Sequence, residues 1–433
     1  MTPSARLQAT IEALNHLEGR STPAKHIFSR YLRQRRYMGA KDRRVIRNNV
    51  FDIIRDQLRL DWKIRKLGAE PCPRSRVLAH TLVTGTSLDE IALTCAGTRY
   101  SPQILTIEEG KWLSTLAQAT KFCSQDKPSW VRGNYPSWLE PELNKSFGSD
   151  LMSEMLALDS SAPTDLRVNE TKATREEVLQ ILHSQGIQAE PTPFSPYGVR
   201  LFDRPAITSN QAYQNGLIEL QDEGAQLIAS LVDPGSNHYV IDLCAGAGGK
   251  TLALATKIRA GGQLIACDTN PTRLNKMKPR LKRAGVQNVK IHVLTNDDPW
   301  LRERKGKADR VLLDVPCSGT GTWRREPDAR HRLTPALLES YVEKQRVILD
   351  AACQLVKPGG RIIYATCSIL TSENQDQVDR FLRARDNFSI IPIGPVWRKT
   401  VRPNNVPDGI TLQLTPKRHG VDGFFVAILA RTA

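Results

Sequence analysis

The stretch HYVIDLCAGAGGKTLALA, residues 238–255, decides the fold. A β-branched run closes on Asp242, a glycine-rich turn follows, and Lys250 opens a helical pattern. In an open α/β sheet, ligands bind at such a place, where a strand ends and a helix begins. Two familiar phosphate-binding spacings fail here. A P-loop needs a glycine with four residues between it and Gly249-Lys250-Thr251, and that place is Cys244. The dinucleotide pattern would begin at Gly246 and Gly248, but its third glycine would fall on Thr251. Neither a nucleoside triphosphate nor NAD is indicated. Two readings stay open: a plain strand–helix turn, or a nucleoside site. In the second, an acid one strand later, Asp268 in LIACD, accepts hydrogen bonds from ribose hydroxyls.

Short β-branched runs surround this stretch at Tyr239–Leu243, Gln263–Cys267, Val289–Leu294, Arg310–Leu313 and Arg361–Ala365, and Phe424–Leu429 adds a late one. Helical patterns such as Pro271–Arg283 and Pro335–Leu355 lie between them. Such alternation predicts βαβ units and a mostly parallel sheet covered on both faces, an α/β fold. Upstream, Leu166–Val168 and Gly198–Leu201 read as strands flanking a helix at Thr174–Gln185, whose Thr-Arg-Glu-Glu opening is a helix start. DKPSWVRGNYPSWLE (126–140), with two Pro, a Gly and two Trp, reads as a partly packed linker. The first 125 residues are helical in pattern, with Ile46, Val50, Ile53, Ile54 and Leu58 on one face. The expected organisation is a helical domain at 1–125, a linker at 126–144, a small α+β domain at 145–205 and an α/β domain at 206–433.

The chain has 433 residues, enough for roughly three domains. It carries 61 Lys and Arg against 45 Asp and Glu, a formal +16. Such an excess favours a polyanionic partner, most commonly nucleic acid. Residues 30–66 hold 13 Lys/Arg and 4 Asp/Glu, a local +9 of one sign, which suits either a solvated helix face or a phosphate-contacting surface. Arg273–Arg283 (six basic residues, no acid) and Trp323-Arg324-Arg325 are further basic stretches. Trp323 could stack on a base or pack beneath its loop. No apolar run approaches the ~18 residues of a membrane helix, and MTPSARLQATIEALNHLEGR lacks a signal peptide's apolar core. Eight scattered Cys without a C-x-x-C argue against a disulfide scaffold or a zinc site. A reducing, cytoplasmic compartment is expected, with no metal and no membrane partner.

Two more strand ends carry chemistry. RVLLDVPCSGTGTWRREPD (310–328) delivers Asp314, Pro316 and Cys317 to a glycine-rich loop. RIIYATCS (361–368) delivers Thr366 and Cys367. One Cys at a strand end is ordinarily a small buried hydrophobe, and Cys244, Cys267 and Cys353 fit that reading. Two thiols on one sheet edge beside a nucleoside turn point instead to nucleophilic chemistry.

DLCAGAGGKT, DVPCSGTG and YATCS resemble the cofactor loop, the Pro-Cys motif and the Thr-Cys motif of the Sun-type RNA cytosine-5 methyltransferases. GLIELQDEGAQ (216–226) resembles that family's entry segment and DGFFVAIL (422–429) its terminal strand. RRYMGAKDRRVIRNNVFDIIR (35–55) is similar to the NusB-like helical domain of the small-subunit ribosomal RNA methyltransferase B branch. The resemblance implies a class I methyltransferase fold with a Rossmann-like, mostly parallel seven-stranded sheet, an S-adenosyl-L-methionine cofactor and an RNA cytosine as target. It implies that Cys367 is the nucleophile, that Cys317 helps release the product, that Asp314 binds the base and that Lys250 lies near the reacting centre. The cofactor would lie along Asp242, Cys244, Ala245, Gly246, Ala247, Gly248, Gly249 and Lys250. Asp268 would hold its ribose, with Arg273 and Asp314 nearby and Asp297, favoured over Asn296 and Asp298, on the adenine side.

Where the family usually reads Ala-Pro-Gly, this chain has Gly246, Ala247 and Gly248. Loss of the proline's fixed φ predicts a looser turn. Three alternatives are a transfer RNA substrate, a catalytically silent RNA-binding scaffold, and a DNA cytosine-5 methyltransferase. The DNA enzymes use the Pro-Cys thiol as nucleophile, so the Thr-Cys motif and the NusB-like stretch point to RNA. Ribosomal RNA, alone or in an assembling particle, is the expected partner, and a monomer the expected state.

Overall fold

The computed structural model describes residues 1–118, 127–203, 205–259, 261–401 and 406–432. Cys123 and the expected boundary at 125/126 lie outside the described residues. The chain divides into two compact units, Met1–Ser160 with Trp323–Leu333, and Ser161–Thr322 with Thr334–Ala433.

The described elements of the first unit are helical. Ile46, Val50, Ile53 and Ile54 point inward from the helix Ala40–Arg55 and join Phe28, Leu60, Ile64, Leu78 and Leu113 in one core. The helix stops at Arg55, so Leu58 belongs to the next helix, Gln57–Lys66, and is half-buried rather than a fifth member of that face. The stretch expected as a linker is helical from Ser129, and helices Glu140–Phe147 and Leu151–Asp159 continue the unit to its end. Arg330 is buried over the Trp323 ring at 5.2 Å and donates to Asp159 Oδ1 and the Asn134 carbonyl, both at 3.0 Å. Trp323 and Arg324 are themselves buried, so neither forms a basic surface or a stacking platform. The exposed side chains of the basic stretch are Arg30, Arg33, Arg36, Lys41, Arg44, Arg47, Arg65 and Lys66.

The second unit holds two sheets. Strands β1 (Thr164–Val168), β2 (Ala189–Pro191), β3 (Gly198–Leu201) and β4 (Ile218–Leu220) form an antiparallel sheet in the order β2-β3-β1-β4. The last of them lies beyond residue 205. Its helix, Arg175–Ser184, starts on a capping box: Glu177 N donates to Thr174 Oγ1 at 3.2 Å and Thr174 N to Glu177 Oε2 at 2.7 Å.

The larger sheet contains β5 (Tyr239–Asp242), β6 (Gln263–Asp268), β7 (Val289–Val293), β8 (Ala308–Asp314), β9 (Val356–Thr366), β10 (Phe388–Ile391), β11 (Leu412–Leu414) and β12 (Phe424–Arg431). Seven strands run in the order β10-β12-β9-β8-β5-β6-β7, and β11 pairs with β12 off that path. Strands β9, β8, β5, β6 and β7 are mutually parallel, and β12 runs antiparallel to both of its neighbours on the path, β9 and β10. Alternation along each strand builds a core on both faces. Val240, Leu312 and Ile363 enter one cluster, and Ile241, Val311, Leu313 and Tyr364 enter the other. The crossover helix Pro335–Leu355 is opened by Thr334, whose side chain accepts from Leu337 N, and by Pro335 in the first turn. It runs straight into β9, so that strand begins five residues before the expected Arg361.

Candidate active site

Parallel pairing brings the strand ends to one edge. Asp242 pairs with Leu312, and Asp314 with Ala365. Cys317 and Cys367 thus leave adjacent strands, three residues past Asp314 and one past Thr366. Val315 N donates to the Ala365 carbonyl at 3.1 Å and Gly321 N to the Cys367 carbonyl at 3.0 Å, which ties the two loops together. The sulfurs of Cys317 and Cys367 come to 3.3 Å, both half-buried. The Cys317 thiol is pushed well above the ordinary thiol range by its hydrogen bond with Cys367, by burial and by the nearby Glu373.

Lys250, in the first turn of the helix Gly249–Ala255, forms an ion pair with Asp314 Oδ2 at 2.7 Å. Burial alone would lower its pKa. The Asp314 carboxylate and the Cys367 sulfur outweigh that and raise it, so the cation persists beside the sulfur pair. Four of the expected residues therefore share one place: Lys250, Asp314, Cys317 and Cys367.

Asp242 is buried, and burial pushes its carboxyl up to about 7. Thr251 Oγ1 donates to Oδ2 at 2.6 Å, while Oδ1 is buried without a hydrogen-bond partner. Asp268 Oδ2 accepts from Gly246 N and Oδ1 from Asn270 N, both at 2.8 Å, with the Arg273 guanidinium 3.7 Å away. Gly246 (φ 55°) and Gly248 (φ 83°) occupy left-handed conformations. A Cβ would stand 2.6 Å from Arg273 Nη2 at the first and 2.4 Å from Met277 Cγ at the second. The Ala247 carbonyl accepts from Arg280, and Gly248 N donates to the Ala245 carbonyl. The turn that sequence suggests is loosened by loss of proline is thus fastened by Arg280 and Asp268. Cys244 lies in this turn, its thiol raised far above the ordinary range by burial. Cys267 and Cys353 are buried packing residues.

These residues fit the nucleoside end of S-adenosylmethionine. The Asp268 carboxylate stands at a strand end where ribose hydroxyls would bond, and a buried Asp242 oxygen lacks a donor. Beyond β7, Asp298 accepts from His292 Nε2 at 3.0 Å, Thr295 N at 3.1 Å and Trp300 N at 3.0 Å, and the hydrogen bond from His292 leads in lowering its pKa to about 2. It caps the helix Pro299–Glu303. Asp297 is exposed, in a left-handed conformation at φ 53°.

Sequence reasoning missed the supports of the two cysteine loops. Glu373 and Asn374 follow Cys367 in a 3-10 turn and are both buried. Glu373 accepts from Ser318 N at 2.8 Å, from Ser318 Oγ, and from Gln345 Nε2 at 3.0 Å. Asn374 accepts from Thr366 Oγ1 at 2.6 Å and donates to the Ser368 carbonyl at 2.9 Å. An acid–amide pair shortly after YATCS reads locally as a helix start, and nothing nearby signals its burial.

Residues 229–430 match the family described as 16S rRNA methyltransferase RsmB/F, and residues 135–208 match its ferredoxin-like domain. The probable ribosomal RNA small subunit methyltransferase B of Synechocystis sp. is 30% identical over 418 residues, 92% of this chain and 93% of that protein. The ribosomal RNA small subunit methyltransferase B of Photorhabdus laumondii is 29% identical over 407 residues, 90% of this chain and 91% of that protein. The crystal structure of PH0851 has a TM-score of 0.79 at 25% identity and covers 100% of this chain and 99% of its own. Matched along nearly its whole length, the chain belongs to the RsmB/F family of 16S rRNA methyltransferases.

Proposed function

We propose that this S-adenosylmethionine-dependent methyltransferase acts on carbon 5 of a cytosine in small-subunit ribosomal RNA, through a covalent bond between Cys367 and carbon 6. The observation that carries the reading is the 3.3 Å pair of sulfurs beside the Lys250–Asp314 ion pair. Carbon 5 of cytosine is a weak nucleophile. Addition of the Cys367 thiolate to carbon 6 makes it electron-rich and splits one hard step into two easier ones. Lys250 places positive charge beside that sulfur, the surroundings a thiolate nucleophile needs. Asp314 hydrogen-bonds the amino side of the base and stabilises charge near nitrogen 3. Bound S-adenosylmethionine supplies an electrophilic methyl group. Cys317, as the thiolate left once its own proton has passed to solvent, then takes the carbon 5 proton; the C5–H electrons reform the ring double bond, and the Cys367–carbon 6 bond breaks.

In this reading Asp268 holds the ribose, with Arg273 and the 244–250 loop along the nucleoside and Asp297 on the adenine side. The target base leaves any stack to enter, at a cost of a few kcal/mol. Exposed cations of residues 30–66 hold phosphates, so the helical 1–125 region serves as the RNA-binding, NusB-like part. The test uses two variants and ribosomal RNA as substrate. Cys367→Ala forms no adduct and no product. Cys317→Ala accumulates a protein–RNA covalent complex, seen as a shifted band on a denaturing gel. Normal turnover by Cys317→Ala, with trapping by Cys367→Ala, would reverse the two roles. Bisulfite sequencing of total RNA with and without the protein locates the methylated cytosine.

A further inference from the structure

The two sulfurs stand in different electrostatic surroundings, and neither motif accounts for the difference. The Cys367 sulfur is among the groups that raise the Lys250 pKa. On the other side of the pair, Glu373 is fully buried and accepts from the backbone and hydroxyl of Ser318, the residue next to Cys317. Ser318 N, Ser318 Oγ and Gln345 Nε2 all donate to its two oxygens, which is how a carboxylate bonds; burial raises its pKa and these hydrogen bonds oppose that rise. Gln345 adds a third bond and also donates to the Pro316 carbonyl at 3.0 Å, so one amide braces both sides of Cys317. The Tyr364 hydroxyl donates to the Glu373 carbonyl at 2.6 Å. Asn374, the next residue, grips the loop of Cys367 through Thr366 and Ser368. Adjacent residues thus hold the two cysteine loops, one each.

We infer that Glu373 is a positioning residue: with Asn374 it sets the separation of the two sulfurs, and its buried carboxylate disfavours a thiolate at Cys317 until the Cys367–carbon 6 bond has formed, so that Cys317 does not compete with Cys367 as nucleophile and loses its proton to solvent only before it acts as the base. The inference rests on the roles proposed above for the two cysteines. A negative charge in a water-poor site opposes a second negative charge beside it. Among the described residues, the other charged or titratable groups around Cys317 are Cys367 itself, Tyr364 and, through Tyr364, Arg380 and Cys244. Lys250, ion-paired with Asp314, feels the Cys367 sulfur. Glu373 is the anion whose removal changes the field at Cys317 while leaving the Lys250 side in place.

The experiment needs no RNA. Folded protein is alkylated with iodoacetamide to low conversion across pH 6–10, and the two cysteines are quantified separately by mass spectrometry. Glu373→Gln keeps the shape of the side chain and removes its charge. The Cys317 profile is expected to move about one unit toward lower pH, a gain of about tenfold in its rate at pH 7, with the Cys367 profile in place. An unmoved Cys317 profile, or equal movement of both, overturns the inference. A second measurement covers a Glu373→Gln protein that does not fold. In Cys367→Ala, with Glu373 intact, the Cys317 midpoint should lie above the ordinary thiol value of about 8.5; a midpoint at or below it overturns the inference. Failure of these profiles leaves the trapping result untouched, and failure of trapping leaves the profiles readable, so the two conclusions fall separately.

Discussion

Gly248→Ala is the sharpest test of the cofactor loop. Gly248 sits at φ 83°, which costs an L side chain about 1–2 kcal/mol. Its new Cβ would stand 2.4 Å from Met277 Cγ and 2.9 Å from Sδ. Met277 is a fully buried residue of the helix Pro271–Ala284, so relief requires repacking, at about 1–3 kcal/mol. The sum is about 3 kcal/mol, or about 100-fold in an equilibrium constant. Gly246→Ala is the matched control. Its backbone is also left-handed, but its Cβ would meet only the tip of Arg273, whose side chain is 56% exposed and free to swing. The expected cost is about 1 kcal/mol, roughly fivefold. The assay is isothermal titration with S-adenosylmethionine, paired with urea melts of the ligand-free protein. Part of the cost appears in stability if the loop keeps its shape without ligand, and in affinity if it does not. The summed loss for Gly248→Ala should exceed that for Gly246→Ala by about 2 kcal/mol. Equal sums, or a larger loss at Gly246, would refute the reasoning.

Two further outcomes follow from the geometry. Lys250→Met leaves Asp314 without its cation; because that carboxylate is 34% exposed, solvent limits the stability loss to about 1–2 kcal/mol, while single-turnover methylation falls by about 100-fold or more. A variant that retains turnover within a fewfold would remove Lys250 from the reacting centre. His331 is held down to about 4, chiefly by burial, and bonds the Ile54 carbonyl at 2.9 Å as a neutral donor. The unfolded chain binds that proton near pH 6.5, so the contribution is complete above pH 6.5 and is lost as pH falls toward 4. The loss should be about 2 kcal/mol by urea unfolding and should shrink in His331→Gln; an unchanged pH slope in that variant would count against it.

Much of the second unit was legible locally. The runs at 239–243, 263–267 and 289–294 lie within a residue or so of β5, β6 and β7, because each is a short β-branched segment bounded by turn residues. The helix Pro335–Leu355 announces itself by Thr334 and Pro335, and the helix after Thr174 by its acidic first turn. Strands β10 and β11, four and three residues long, carry no comparable pattern; their strand character comes from pairing with β12. Leu58 was misplaced because spacing continues across the break at Asp56, where the chain turns between two helices.

The candidate site divides in the same way. Residue types, motif spacing and the family resemblance together name Asp242, the glycine turn, Lys250, Asp268, Asp314, Cys317 and Cys367, since each belongs to a short strand-to-loop segment with its own local signature. The distances among them arise from strand register, which links residues far apart in the chain: Asp314 pairs with Ala365, and only that pairing carries Cys367 to within 3.3 Å of Cys317. Burial is decided the same way. Trp323 and Arg324 look like a basic, aromatic surface until packing takes them inside, and Glu373 looks like an ordinary helix-start acid until the fold closes over it. A segment of sequence specifies its own backbone preference, but solvent exclusion and electrostatic fields belong to whatever the rest of the chain lays against it.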